Sequence, residues 1–409
     1  MPKVPPTEFS SPLDLSIASK SLFLCFSHLR WDFVWQRPQH LLSRAARTYR
    51  VVFFEEPIFD ADEPRLDLSE RDVGLTVAVP HLPAMPDEKR VFAALRELVD
   101  AFVEENGDPA IVWYYSPIAM AFSGHLSARA TVYDCMDELS AFKNAPPLLP
   151  AMEKKLFAKA DLVFTGGMSL YEAKQGKHKS VHAFPSSIDA AHFASGRRDD
   201  RVDPADQAEI PHPRLGFFGV IDERMDLALV AETARLRPDW HFVMLGPVVK
   251  IDPADLPRLP NIHWLGGKSY GQLPAYIGGW DIGFMPFAMN EATRFISPTK
   301  TPEFLAAGIP VISTPITDVV RPYGENGLVE IAATAGDVVA SAEELMQRPR
   351  EAWLQRVDRH LGKTSWDRTW AGMHHLIRSA MAEKLITRER RGSALQTGAA
   401  AAAEGVNHV

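Results

Sequence analysis

Cysteine is scarce: Cys25 and Cys135 are the only two in 409 residues. A disulfide framework is thereby excluded, and a reducing compartment fits. The histidines and these two thiols show no metal-ligand spacing, so no metal is expected. No run approaches the roughly 20 apolar residues of a membrane span. The N-terminus carries neither a basic stretch nor a long apolar core, and the chain reads as cytoplasmic. An excess of positive charge is also missing: the net charge is −8 and the pI about 6.0. Nucleic acid is therefore not expected as a partner. No internal repeat of solenoid length is present. What remains, 46% hydrophobic and 23% charged residues, is ordinary for a globular protein. The length favours two or more domains over one core.

Short apolar runs alternate with helical periodicity from the first strand onward. Leu22–Phe26 reads as a strand, a polar and aromatic loop follows, and Leu41, Leu42, Ala45, Ala46 and Tyr49 share one face of a helix. Val51–Phe54 is then a second strand, which makes a βαβ unit and starts a parallel sheet. The alternation runs on to Phe184, lapses in a polar, proline-rich stretch, and restarts at Arg214. The expected division is a flexible arm over 1–19, a first Rossmann-like domain over 20–196, a linker over 197–213 and a second Rossmann-like domain over 214–363. A terminal helix over 364–386, with Trp366, Trp370, Met373 and Ile377 as its stripe, packs back on the first domain, and 387–409 is a disordered tail. The expected fold class is α/β, with two doubly wound sheets.

The stretch Phe295–Ser313 concentrates the chemistry. Pro298 and Pro302 suit a loop and a first helical turn, Gly308 suits a left-handed cap, and Ile309-Pro310 ends the helix before a strand at Val311. Lys300 and Glu303 lie three apart, hence on one face at the helix start. A helix start offers free N–H groups to an anion, and Lys300 adds charge for a diphosphate. Glu303 is placed to accept hydrogen bonds from a ribose diol. A capped surface helix with an ordinary ion pair is the plainer alternative.

The run Pro298-x-Lys300-x-x-Glu303-Phe-Leu-Ala-Ala-Gly-Ile-Pro-Val resembles the signature of the retaining group 1, or glycosyltransferase 4, enzymes of GT-B fold. Gly216-Phe-Phe-Gly219, Leu265-Gly-Gly-Lys268 and Asp281-Ile-Gly-Phe-Met-Pro286 look like further elements of that family. Trp31-x-x-x-Trp35-Gln-Arg-Pro-Gln-His40 and Tyr133-Asp-Cys-Met-Asp137 are similar to a bacterial cell-surface polysaccharide subgroup of teichuronic-acid type. Departures exist: Gln36-Arg37 stands where the family carries a glycine pair, Met136-Asp137 where many members have His-Asp, and position 295 is Phe, which breaks the usual spacing of two glutamates.

The resemblance implies two domains facing a central cleft and transfer of a hexose from a nucleotide-sugar donor to a polysaccharide or lipid-linked acceptor, without a metal or other cofactor. It implies catalytic roles for Lys300 on the diphosphate and Glu303 on the ribose; Asp137, just after its strand, and Arg37, by charge in place of the glycine pair, are expected to act with them, and Gly219, Arg224, Gly267, Lys268, Pro298, Thr299 and the misplaced Glu291 are expected at the donor. His28, Trp31 and Trp35 face the acceptor. Arg30, Arg37, Arg44, Arg47 and Arg50, with Lys154, Lys155 and Lys159, make an anionic membrane surface a candidate partner and a peripheral location on the inner membrane face a candidate site. Asp60-Ala-Asp62 has the letters of a metal motif in a proline-bounded acidic loop, where it is not expected to act. A sugar-nucleotide epimerase of the same layout and a non-catalytic nucleotide-sugar-binding scaffold are the alternatives.

Overall fold

The computed structural model describes the backbone of residues 20–404, and their side chains except at 388 and 391–404. The expected arm over 1–19 and the end of the expected tail lie outside these residues.

The described residues form two sheets. The first has eight strands: β1 (Leu22–Phe26), β2 (Arg50–Phe54), β3 (Arg65–Asp72), β4 (Leu75–His81), β5 (Ile111–Tyr114), β6 (Ala130–Cys135), β7 (Leu162–Thr165) and β8 (Val181–Ala183). Their spatial order is β3-β4-β2-β1-β5-β6-β7-β8. The second has β9 (Arg214–Phe218), β10 (His241–Leu245), β11 (Ile262–Gly266), β12 (Ile282–Met285), β13 (Val311–Ser313) and β14 (Glu330–Ile331), ordered β11-β10-β9-β12-β13-β14. All pairings are parallel except β3 with β4. Helices cover both faces, so central strands such as β1 (LFLCF) and β9 are buried throughout and read as unbroken apolar runs.

Strand order reverses between β1 and β5 in the first sheet and between β9 and β12 in the second. At such a reversal the loops at the carboxyl ends of the strands separate and leave a crevice. Loops leaving β1, β9 and β12 therefore converge on the space between the domains. The chain crosses this space twice. Ile188 and Phe193, which follow the first sheet, belong to the core of the second domain. Trp366, Trp370, Met373 and Ile377 belong to the core of the first.

Four expectations need correction. The edge strand β3 was not expected, because its sequence RLDLSERD is charged and its side chains are mostly exposed. The 197–213 stretch is no loose linker. Gln207 is fully buried, donates to the Tyr276 carbonyl and accepts from Trp280 Nε1, and Arg214 ion-pairs with Asp203. Polar residues here satisfy buried hydrogen bonds of the second domain, so low hydrophobicity misreads them as spacer. The last helix runs Trp366–Glu404, past the expected end at 386, in a segment rich in Arg, Glu and Ala, which favour helix. Finally, the five arginines do not form one basic face. Arg30 bonds Glu55, Arg44 and Arg47 share Asp367, and Arg50 bonds Asn106.

Candidate active site

The helix Lys300–Ala306 carries the organising residues. It is held from beneath by Phe304, whose ring packs on Gly283 of β12 and lies 5.1 Å from the Phe218 ring. A Cβ at Gly283 would come within 2.8 Å of that ring, which explains the glycine there. The helix ends as its sequence requires: Gly308 has φ +78°, its N–H donates to the Leu305 carbonyl, and the Ile309 N–H donates to Phe304. This paired closure is the Schellman arrangement.

The free face of the helix start lines a cavity of about 560 Å³ between the domains. Nine of the residues expected at the site meet there: Trp31, Trp35, Gly219, Arg224, Gly267, Lys268, Thr299, Lys300 and Glu303. Lys300 makes no ion pair with any described residue within 4.0 Å. Its Nζ lies 5.5 Å from the centre of the Phe217 ring. Burial, then the nearby Arg224, lower its pKa to about 8, against the pull of Glu303. Glu303 is 6% exposed and accepts no side-chain hydrogen bond from the described residues. Burial raises its carboxyl to about 8, with Lys300 acting the other way. The plainer alternative of a capped surface helix with an ordinary ion pair does not hold: the helix start faces the space between the domains, and Lys300 and Glu303 form no ion pair within 4.0 Å among the described residues. With only seven residues, the helix supplies a modest dipole, and the local positive charge is chiefly that of the side chains.

Gly219 follows β9 with φ +125°, and Gly246 follows β10 with φ +148°. Their backbones touch, since a Cβ on Gly246 would collide with the Gly219 carbonyl. The two strand ends thus present bare backbone to the cavity. Arg224 grips Asp222 through Nε and Nη2 at 2.9 and 2.7 Å and lies 5.5 Å from the Phe142 ring. Lys268 is held by Asp206 at 2.6 Å, which turns its charge toward the Tyr276 ring and away from a free role.

Two further spaces adjoin. A cavity of about 100 Å³ is bounded by Arg37, Asp137, Arg224, Pro298 and Lys300. One of about 510 Å³, bounded by His28, Asp137, Arg224 and Lys250, opens on the first domain. Asp137 and Arg224 belong to both. Burial raises the Asp137 carboxyl, with Arg224 and Arg37 opposing. Burial lowers His28 to about 4, so it is neutral near pH 7, and its Nδ1 has no partner among the described residues.

Arg37 departs from expectation. It is 3% exposed, forms two bonds to Asp134 at 2.9 and 2.8 Å, and gives a third to the Phe184 carbonyl at 2.7 Å. Its charge is spent inside the first domain, because a buried guanidinium needs a carboxylate where water is excluded. Glu291 also departs: its side chain is 75% exposed, lies 3.6 Å from Arg294, and borders none of the three spaces. The turn Asn290–Thr293, closed by Thr293 Oγ1 bonds, points it outward. Asp60 is tied to His81 at 2.6 Å.

Trp31 is buried in the first core, 5.1 Å from Phe53, and borders the cavity. Trp35 is 40% exposed and stacks on Tyr270 of the second domain at 5.7 Å. Tyr270, Asp222 and Gln36 are site residues that sequence reasoning missed. Only the neighbouring glycines and Arg224 signalled their loops. Among the described residues, no group of three or more His, Cys, Asp or Glu is arranged to hold a metal ion, and no helix is long and apolar enough to cross a membrane.

Residues 212–348, which carry Gly219, Lys300 and Glu303, match the family described as glycosyl transferases group 1. The second domain is a group 1 glycosyl transferase domain. The chain is 25% identical over 287 residues to a putative teichuronic acid biosynthesis glycosyltransferase, TuaH, of Bacillus subtilis (strain 168), covering 63% of this chain and 69% of the relative. Solved structures similar to it include a sucrose-phosphate synthase from Thermosynechococcus elongatus, with TM-score 0.68, 13% identity, 89% of this chain and all of that one. Another is an E. coli trehalose-6-phosphate protein bound with UDP-2-fluoro glucose, with TM-score 0.63, 12% identity, 87% of this chain and 99% of that one. The glycosyl transferase domain and its partner together have the GT-B fold, with the cleft where the two switch points face each other.

Proposed function

We propose that this protein is a hexosyltransferase that moves a sugar from a nucleotide-sugar donor to a carbohydrate hydroxyl. One observation carries the reading. Lys300 and Glu303, whose side chains have no ion-pair or hydrogen-bond partner among the described residues, face one interdomain cavity beside the bare backbone of Gly219. An unpaired, half-buried ammonium calls for an anion, and an unpaired buried carboxyl group calls for hydroxyl partners. A nucleoside diphosphate offers both, some ångströms apart. As the bond from the anomeric carbon to the diphosphate breaks, negative charge grows on the leaving group, and Lys300, aided by Arg224, stabilises it without a metal. The acceptor oxygen bonds the anomeric carbon, and its proton leaves to the departing phosphate. His28 and Asp137 border the side from which the acceptor enters.

A role in envelope polysaccharide synthesis is supported by the relative in Bacillus subtilis, named as a putative teichuronic acid biosynthesis glycosyltransferase, and the reading includes transfer with retention of configuration. Exposed Lys154 and Lys155, on the helix Leu149–Lys159, support peripheral contact with an anionic membrane. The test is a thermal-shift screen of nucleotide-sugars, followed by assay of the stabilising one with glycan acceptors in the presence of a chelator. Acceptor-dependent release of nucleoside diphosphate is expected. A new sugar nucleotide would make it an epimerase, binding without turnover a scaffold, and loss of activity restored by manganese would overturn the metal-free mechanism.

A further inference from the structure

Arg224 borders all three spaces of the cleft, and its neighbours come from both domains. From its own domain Asp222, 3% exposed, holds it through Nε and Nη2. Nη1 is left without a bond to any described residue. From the first domain comes Phe142. Its ring centre lies 5.5 Å from the Arg224 guanidinium carbon and 4.9 Å from Lys250 Nζ. Lys250 follows β10 and belongs to the second domain, so an aromatic ring of one domain meets two cations of the other. Both distances lie inside the roughly 6 Å over which a ring attracts a cation.

The loop after β6 is built to deliver that ring. At its base Glu138 ion-pairs with the fully buried Lys174 at 2.7 Å and accepts from Ser140 Oγ at 2.6 Å. The Ala141 N–H donates to the Glu138 carbonyl at 2.9 Å, and the Ala145 N–H to the Phe142 carbonyl at 3.1 Å. Asn144 takes φ +63°, which folds the chain back after Phe142. Lys250 also has positive φ, +61°. That conformation is uncommon for a lysine and persists where the surroundings fix it. Lys250 borders only the space on the side of the first domain, whereas Arg224 also reaches the space that Lys300 and Glu303 face. Any consequence of the ring for the donor therefore runs through Arg224. A guanidinium tied to one carboxylate still swings with that side chain, and a ring against it removes this freedom.

We propose that Phe142 is a positioning residue: its π system, and not its bulk alone, holds Arg224 at the donor diphosphate, so that the charge of the leaving group is fully met only when the first domain lies against the second. The inference rests on the glycosyl-transfer reading. It extends that reading by linking a loop beside the acceptor entrance to the charge at the donor. Phe142 itself borders the space that holds His28 and Asp137.

The test is calorimetric titration of the full-length protein with UDP, GDP and ADP, the tightest ligand being carried forward together with its nucleoside. Phe142→Leu keeps an apolar side chain and loses the π system. It should weaken the diphosphate roughly 2- to 30-fold, the range of a cation–π contact, and leave the nucleoside unchanged, which also shows that the variant has folded. Phe142→Met, equally apolar, serves as a second such variant. Phe142→Tyr should restore the affinity to within about two-fold of wild type. In an Arg224→Met background Phe142→Leu should cost nothing further, while in a Lys250→Met background its effect should persist. Equal losses in Phe142→Tyr and Phe142→Leu would make the contact one of bulk and overturn the inference. So would a leucine effect that survives Arg224→Met, an equal loss for the nucleoside, or wild-type affinity in both apolar variants. Each of these leaves the donor site standing as long as Lys300→Ala weakens the diphosphate. Failure of the wild-type protein to bind any of the three diphosphates would remove the glycosyl-transfer reading and this inference with it.

Discussion

Gly219 and Lys300 fit together only because Gly219 lacks a side chain: a Cβ there would lie 2.5 Å from the Lys300 Nζ. The strand end and the helix start come from segments 81 positions apart, yet the backbone of one makes the seat for the cation of the other. Gly219 also has φ +125°, a conformation that a side chain opposes. Gly219→Ala should therefore displace Lys300 and strain the loop by about 1–3 kcal/mol. A drop in nucleoside diphosphate affinity together with a lowered unfolding midpoint is expected. Wild-type affinity in this variant would mean that Lys300 does not need this seat.

Lys300 and Glu303 should fail differently when truncated. Charge-assisted hydrogen bonds contribute about 1.5–3 kcal/mol each, so either alanine variant should weaken UDP binding roughly 10- to 150-fold. Glu303→Ala should weaken uridine and UDP alike. Lys300→Ala should spare uridine, weaken UDP, and further lower the turnover rate, since leaving-group charge is largest in the transition state. Calorimetric titration of the four combinations decides it, and equal losses for uridine in both variants would contradict the assignment.

Stability of the unliganded protein should depend on pH through Glu303. Burial lifts this carboxyl from its ordinary 4.5 to about 8. Between those values the folded state keeps a proton that the unfolded chain has released, so this group makes stability fall as pH rises through the window. Lys300, lowered from 10.5 to about 8, has the opposite slope above pH 8. Glu303→Gln removes the first slope. It should raise the unfolding midpoint more at pH 8 than at pH 5, by an amount equivalent to about 1–3 kcal/mol of relieved desolvation. A gain that is larger at pH 5 would refute this assignment of the charge.

Arg37→Ala should act on folding and leave the donor site largely alone. It abandons Asp134, which is fully buried, without a countercharge. Breaking such a pair costs about 3–5 kcal/mol. Denaturant unfolding should show that loss in the first domain, with UDP affinity within about two-fold of wild type, a difference under half a kcal/mol. A large loss of affinity in a stable variant would return Arg37 to the donor site.

The sequence by itself determined the alternation of buried strands and amphipathic helices, the restart at Arg214, and the helix that begins at Lys300 and stops at Gly308. These are local matters: side-chain period, proline, and a glycine free to take positive φ. The same locality made Lys300 and Glu303 legible as a pair. Only the tertiary structure decided which charges are free. Arg37 and Lys300 are both basic residues at helix starts, but Arg37 meets Asp134 from a strand 97 positions away, and Lys300 meets no carboxylate within ion-pair distance among the described residues. Glu291 and Glu303 are both carboxylates of the second domain, yet one is turned to solvent and the other enclosed. Pairing and burial depend on what the other strands and the other domain bring near. No spacing along the chain encodes that, because the groups that pair with or enclose a side chain come from distant segments, as Asp134 does for Arg37.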